Sequence, residues 1–205
     1  MTEKKSGPPA TNQDVVQRYH HGELRPALIA GARRILEEEG LEALTLRGLA
    51  RSVGVSRQAP YHHFADLNAL LAAVAAAGFR ELARSSLERM DRVANRDSRF
   101  KASGISYVLF AAANPALFQL MFAGMGGTFS HDEELQAARR ASFSVLETAL
   151  SDTGRADTSA LAALKAWSLV HGLADLLIKG AVRPEDFNLQ SWEEVAEHLL
   201  SSGLM

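Results

Sequence analysis

The amino-acid sequence predicts an all-α protein of about nine helices. Apolar residues recur at spacings of three and four along most of the chain, as Leu24, Leu28, Ala32 and Ile35 do, and this period is typical of amphipathic helices. Residues that commonly begin or end helices flank many of these stretches. No run of alternating β-branched residues indicates a sheet. Because 47% of the 205 residues are hydrophobic, the chain has ample material for a packed core.

The N-terminal region opens with a polar segment. Residues 1–14 contain two prolines and few apolar groups, so they are expected to be disordered. The first helix is predicted over Glu23–Glu39, where the apolar residues form one stripe. It should end at Gly40, because glycine commonly terminates helices.

Two short helices are predicted next. Thr45 is a suitable N-cap for the first, which should end near Ser52. Ser56 is a suitable N-cap for the second, which should continue through Phe64. Gly54 lies between them and can take the positive φ that a tight turn needs.

Longer helices make up the remainder of the chain. Asp66 should cap a helix that runs to about Arg92. Gly124–Gly127 is expected to be a flexible break. Pro115 suits the first position of a helix. The other predicted helices are Phe100–Ala113, Ala116–Met121, one that opens at His131 and continues through Leu150, Thr158–Lys179, and Ser191–Leu200.

Composition excludes several classes of protein. The absence of cysteine rules out disulfides and thiolate metal sites. Neither a signal peptide nor an uninterrupted membrane span is recognisable, which predicts a cytoplasmic protein. The adjacent histidine pairs cannot easily converge on one metal ion, and no serine or threonine lies in a glycine-flanked elbow. We therefore expect no metal, no cofactor, no catalytic residue and no contact with a membrane.

The two short helices around Gly54 match a helix-turn-helix, in which the second helix enters the major groove of DNA. Arg57 and Gln58 lie in the first turn of that helix and can reach base edges, where arginine favours guanine and glutamine favours adenine. Other polar residues are placed to contact phosphates, which positions the protein without reading sequence. The predicted DNA-binding residues are Thr45, Arg47, Ser56, Arg57, Gln58, Ala59, Tyr61 and His62.

An alternative interpretation is a helix pair that serves only as a packing corner. The charge distribution separates the two possibilities only weakly. Residues 1–62 carry nine Lys and Arg against seven Asp and Glu, so the basic excess on the predicted DNA-binding side is small.

The segment from Leu44-Thr45-Leu46-Arg47-Gly48 through Gly54-Val55-Ser56 to Tyr61-His62-His63-Phe64 resembles the DNA-binding domain of TetR-family transcriptional regulators. The resemblance covers about residues 20–80. It implies an all-helical homodimer, most often a repressor, that a small molecule releases from its double-stranded DNA operator. The implied organisation is a tail over residues 1–17, a DNA-binding domain over 18–80 with its helix-turn-helix over 45–64, and a ligand-binding and dimerisation domain over 81–205.

Two positions depart from the usual family pattern. Family members usually carry a lysine soon after the aromatic residue, where it contacts a phosphate, and Leu67 occupies that position here. Pro60 is unusual in a recognition helix, and should remove about one hydrogen bond near its end. The sequence Ala59-Pro60-Tyr61 nevertheless occurs in a subset of the family.

The C-terminal half resembles the domains of that subset, which are named for a Trp-His-Gly signature, here Trp167, His171 and Gly172. Trp167, His171 and Asp175 share one helix face. They could form a pocket wall, or His171 could be an ordinary core histidine with a satisfied hydrogen bond. Soft apolar residues could line the same pocket or fill the core. The predicted pocket residues are Phe110, Phe118, Met121, Phe122, Trp167, His171 and Asp175.

Three functions remain open on the sequence alone. The first is a ligand-responsive regulator whose last two helices pair with a second copy in a four-helix bundle. The second is a helical small-molecule binder that does not engage DNA, an alternative suggested by Leu67 and the small basic excess. The third and weakest is an enzyme that uses His171 and Asp175.

Overall fold

A computed structural model describes residues 23–123, 131–153 and 159–201. Within these ranges the chain forms α-helices and short 3-10 helices, and no strand. The eight α-helices are α1 Leu24–Glu39, α2 Leu46–Val53, α3 Leu67–Met90, α4 Arg96–Ala113, α5 Pro115–Ala123, α6 Glu133–Asp152, α7 Ala160–Ile178 and α8 Trp192–Ser201. The predicted all-α class is confirmed. The expected tail and the glycine-rich break fall on residues outside the described ranges.

The chain divides into two compact units, residues 1–67 and 68–205. The predicted domain boundary at residue 80 lies within α3, and it stays a prediction. In the first unit, α1 and α2 pack closely because Gly31 has no side chain. A Cβ at that position would lie 2.7 Å from Cγ2 of Val53.

Capping residues set several helix ends as the sequence predicts. Oγ1 of Thr45 accepts a hydrogen bond from the N–H of Gly48 at 3.0 Å, so it caps α2. Gly40 and Gly54 end α1 and α2 with positive φ values of 87° and 78°. Asn114 ends α4, and Pro115 is the first residue of α5.

Some predicted boundaries are wrong. Helix α4 begins at Arg96 rather than Phe100, because Asn95 caps it and its first turn is polar. Helix α6 begins after the Asp132 cap rather than at His131, and Ser159 caps α7. Two 3-10 helices, Leu41–Ala43 and Pro184–Phe187, were not predicted.

Helix α4 is the centre of the second unit. It packs against α6, α7 and α8. Small residues permit close approach, since a Cβ on Gly104 would lie 2.8 Å from Cδ1 of Leu200. Two apolar clusters along α4 form the core, one around Phe100 and Leu150 and the other around Val108 and Val170.

Helix α7 carries more apolar residues than it buries in this core. By length and composition alone it could cross a membrane, and α4 with α5 would qualify together despite the 106° bend between them. Core helices pass the same test. Four small or branched residues of α7 are in fact buried in the helical core: Ala163, Ala166, Val170 and Ala174.

Candidate nucleic-acid interface and ligand cavity

The residues around the Gly54 turn separate into a buried and an exposed set. Leu46, Leu49, Ala50, Pro60 and Phe64 are buried. All but one of the predicted DNA-binding side chains are exposed, and Ala59 is partly buried. The exposed residues are Thr45, Arg47, Ser56, Arg57, Gln58, Tyr61 and His62. The turn therefore presents several hydrogen-bond donors on one continuous stretch of chain.

The predicted α-helix from Ser56 to Phe64 is wrong. The segment forms only a 3-10 helix over Ala59–His62. The carbonyl of Ser56, which an α-helix would bond to residue 60, instead accepts the N–H of Ala59 at 3.0 Å. Pro60 explains the difference, because it has no N–H to donate and disfavours α geometry in the preceding residue. The proline therefore changes the whole recognition segment rather than removing a single hydrogen bond near its end.

Two side-chain contacts hold the helix-turn-helix against α1. The guanidinium of Arg25, on α1, lies over the ring of Phe64 at 5.4 Å from its centroid, a cation–π contact. Nη2 of Arg34, also on α1, donates to Oγ of Ser52 at 2.5 Å. Both contacts attach the helix-turn-helix to α1.

The second unit contains a cavity of about 630 Å³, which we call the C-terminal cavity. This volume is in the range of small-molecule binding sites. Helices α3, α4, α5, α6 and α7 all contribute to its wall. The bulk of the wall is apolar, formed by Phe79, Leu82, Phe122, Phe143, Trp167 and Val170.

Two of the seven predicted pocket residues, Phe122 and Trp167, line this cavity. The others do not. Phe110, Phe118 and Met121 are buried in the surrounding core. Asp175 forms an ion pair with Lys179 at 2.7 Å, and both side chains are substantially exposed. Phe118 lies behind the wall, its ring centroid 4.8 Å from that of Phe122.

His171 belongs to a hydrogen-bonded chain that was not predicted. Nε1–H of Trp167 donates to the hydroxyl of Tyr107 at 3.1 Å, and that hydroxyl lies 2.8 Å from Nδ1 of His171. Tyr107 lines the C-terminal cavity from α4. The partner of His171 is therefore a tyrosine, rather than the backbone carbonyl or Asp175 considered from the sequence.

Burial shifts the pKa values of Tyr107 and His171. It raises the pKa of Tyr107 above its ordinary value, and the smaller effect of the hydrogen bond from Trp167 acts in the opposite direction. It lowers the pKa of His171, against the attraction of Asp175. A neutral His171 with its proton on Nε2 can accept a hydrogen bond from the Tyr107 hydroxyl at Nδ1. In that tautomer the donors run from Trp167 through Tyr107 to His171.

Sequence reasoning missed the part of the wall contributed by α3, α4 and α6. Tyr107 and Phe143 lie far from the Trp-His-Gly motif in sequence, and only the packing of α4 and α6 against α7 brings them to it. A usable signal was the presence of a single tyrosine in a helix otherwise rich in small and apolar residues. Among the described residues, no group of three potential metal ligands converges.

Two family profiles match this chain. Residues 28–74 match the family profile described as bacterial regulatory proteins of the tetR family, and residues 100–200 match a tetracyclin repressor-like C-terminal domain. The chain belongs to the TetR family. The second description does not mention the Trp-His-Gly group, so that finer grouping stays a prediction.

The relatives of this TetR-family chain support the same assignment. An HTH-type transcriptional repressor of Mycobacterium tuberculosis is 39% identical over 82 residues, which are 40% of each chain. The repressor AcnR of Corynebacterium diphtheriae is 45% identical over 34% of this chain and 32% of its own. These alignments span well under half of the named repressors.

Solved structures match this TetR-family chain over most of its length. A protein of unknown function from Rhodococcus sp. RHA1 shares 30% identity with a TM-score of 0.79, over 92% of this chain and 97% of its own. A TetR-family regulator from Marinobacter aquaeolei shares 15% identity with a TM-score of 0.65, over 87% and 94%. At that identity the second likeness concerns the fold alone.

Proposed function

We propose that this TetR-family chain is a cytoplasmic, homodimeric transcriptional repressor that binds a pseudo-palindromic operator and is released by a small molecule. The observation that carries the proposal is the exposed set of donors around Gly54, held on a buried apolar face. The repressors named among its relatives support it. A dimer would place two such turns in successive major grooves.

The exposed side chains divide by the contacts they can make. Arg57 and Gln58 precede the 3-10 turn and are the candidates for base reading. Thr45, Arg47, Ser56, Tyr61 and His62 are the candidates for phosphate contacts. Because Leu67 offers no charge where relatives usually have a lysine, Arg47 and Tyr61 would carry more of the backbone affinity.

The dimer face we propose is the outer side of α7, together with α8. Leu161 and Leu176 of α7 are 72% and 45% exposed. Gly172 lies between them, and a Cβ built there meets no atom within 4 Å. An exposed apolar stripe with a small residue at its centre permits close approach of a second helix. Leu161→Arg should therefore give a monomer by light scattering, whereas Leu87→Arg, the same change at a 45% exposed leucine of α3, should not.

The test of DNA binding is selection of bound sequences from a random double-stranded pool at moderate salt. Recovery of a palindrome is the expected outcome. Gel shifts on that palindrome then separate the two contact classes. Tyr61→Ala should weaken binding to all sequences, and Gln58→Ala should relax preference at particular base pairs.

Two results would contradict the proposal. Absence of salt-dependent binding to any DNA would favour the non-DNA-binding alternative. Unchanged relative affinities for all operator variants in Gln58→Ala would remove the base-reading role of Gln58.

A further inference from the structure

The C-terminal cavity has positive charge that the described residues do not neutralise. Arg139 and Arg140, on α6, are part of its lining, where Arg139 is half-buried and Arg140 is exposed, and neither forms an ion pair or hydrogen bond within the described ranges. The acidic residue in the lining is Glu147, two helical turns further along α6. By contrast, Arg80 on α3 is paired with Glu134 at 2.5 Å.

The interior of the same cavity also contains unpaired hydroxyl groups. Ser86 and Ser103 are only 5% and 6% exposed, line the cavity, and have no hydrogen-bond partner among the described residues. Their neighbours Ser85 and Ser106 bond to each other at 3.2 Å. Because no buried side-chain nitrogen or oxygen among the described residues lacks a partner, these two hydroxyl oxygens are accessible from the cavity, where a ligand can reach them.

The remaining wall determines the rest of the ligand. The rings of Phe79, Phe122, Phe143 and Trp167 offer an apolar surface on several sides. Ring centroids of Phe79 and Phe122 are 5.4 Å apart, and those of Phe143 and Trp167 are 6.0 Å apart. Burial of an apolar body against these rings would supply most of the affinity.

We propose that the C-terminal cavity binds an apolar carboxylic acid, whose carboxylate pairs with Arg139 and Arg140 while its body lies among the aromatic rings. A carboxylate is the planar anion that a guanidinium binds best. This inference rests on the proposed function, since it names the class of molecule that would release the operator.

Three probes of equal chain length isolate the charge: decanoate, decanol and decylamine. Isothermal titration calorimetry on the full chain measures each below its aggregation concentration. We expect decanoate to bind at least about tenfold more tightly than decylamine, because the carboxylate forms charge-assisted hydrogen bonds with the guanidinium groups whereas the ammonium is repelled by them. The double variant Arg139→Gln/Arg140→Gln should weaken decanoate about tenfold and change decanol by less than about twofold.

Arg84→Gln is the matched control, because Arg84 is exposed on α3 and is not part of the cavity lining. It should leave all three affinities unchanged. The inference is overturned if decanoate does not bind, if decylamine or decanol binds as tightly, or if the double variant retains full affinity for decanoate while its melting temperature is normal.

Gel shifts on the selected operator keep this inference separate from the proposed function. If decanoate binds with the expected charge preference but does not release DNA, the ligand class stands and ligand-induced release fails. If another molecule releases the operator while decanoate does not bind, release stands and the ligand class fails.

Discussion

The hydroxyl of Tyr107 lies 2.8 Å from Nδ1 of His171 and accepts the indole N–H of Trp167 at 3.1 Å. One oxygen of α4 thus satisfies two side chains that lie one turn apart on α7. The surroundings are aromatic, with the Phe122 ring centroid 4.6 Å from that of His171. A hydroxyl in this position fixes how α4 and α7 are aligned, because apolar packing alone has little directionality.

Replacing Tyr107 by phenylalanine should destabilise the second unit by about 1–3 kcal/mol, since Trp167 and His171 would each lose a hydrogen-bond partner while partly buried. Urea denaturation followed by circular dichroism measures the change. Tyr61→Phe is the matched control, because Tyr61 is 45% exposed, and it should shift stability by less than about 0.5 kcal/mol. Equal losses in the two variants would show that the Tyr107 hydroxyl contributes nothing specific.

The free energy of unfolding should fall as the solution is acidified below about pH 6.5. Burial lowers the pKa of folded His171 below its unfolded value of 6.5, so the unfolded chain takes up the proton first. The contribution of this residue is complete above that pH and is lost as the pH approaches the lowered value. Denaturation curves at pH 7.5 and 5.5 should therefore differ more for the native chain than for His171→Gln. A steeper dependence in the variant would reverse the predicted sign.

Gly54→Ala should cost about 1 kcal/mol through the backbone alone. Gly54 has a φ of 78°, where residues with a side chain are strained, and a Cβ there meets no atom within 4 Å. Asparagine tolerates this conformation better, so Gly54→Asn should lose less. Thermal melts of both variants test the ordering, and an alanine variant as stable as the native chain would refute it.

Thr45→Ala should lose about 1 kcal/mol of stability because the cap of α2 disappears. Thr45→Ser retains an oxygen that can accept the N–H of Gly48, and should remain within a few tenths of a kcal/mol of the native chain. Chemical denaturation of the two variants side by side provides the comparison. If serine were as damaging as alanine, the threonine methyl group rather than its hydroxyl would be responsible.

Local chemistry made much of the fold predictable. Thr45, Gly54 and Pro115 each act through their own backbone or a neighbour within three residues, so their roles can be inferred without any tertiary information. The prediction of an α-helix over Ser56–Phe64 was wrong for a local reason as well. Pro60 was recognised as unusual, but its effect on the hydrogen bonds on either side of it was underestimated.

The C-terminal cavity was only partly predictable, since it depends on contacts between distant segments. Trp167 was identified through its motif, but Tyr107 lies 60 positions earlier and Phe143 lies on another helix. Helical spacing showed that His171 and Asp175 share a face with Trp167. It could not show that the two side chains have different partners. His171 lies within hydrogen-bond distance of Tyr107, whereas Asp175 forms an ion pair with Lys179.

The tight turn imposed by Pro60 also bears on how this chain could acquire a new operator. In a 3-10 helix, side chains three positions apart lie one above the other, whereas an α-helix offsets them. Gln58 and Tyr61 are separated by three positions, so the proposed base reader and the proposed phosphate anchor share one ridge. The N–H of Tyr61 donates to the carbonyl of Gln58 at 3.1 Å, so substitutions at these two positions should have coupled effects on operator binding. Arg57 lies off that ridge, so its substitutions should combine additively with those at Tyr61 and change specificity with less effect on overall affinity.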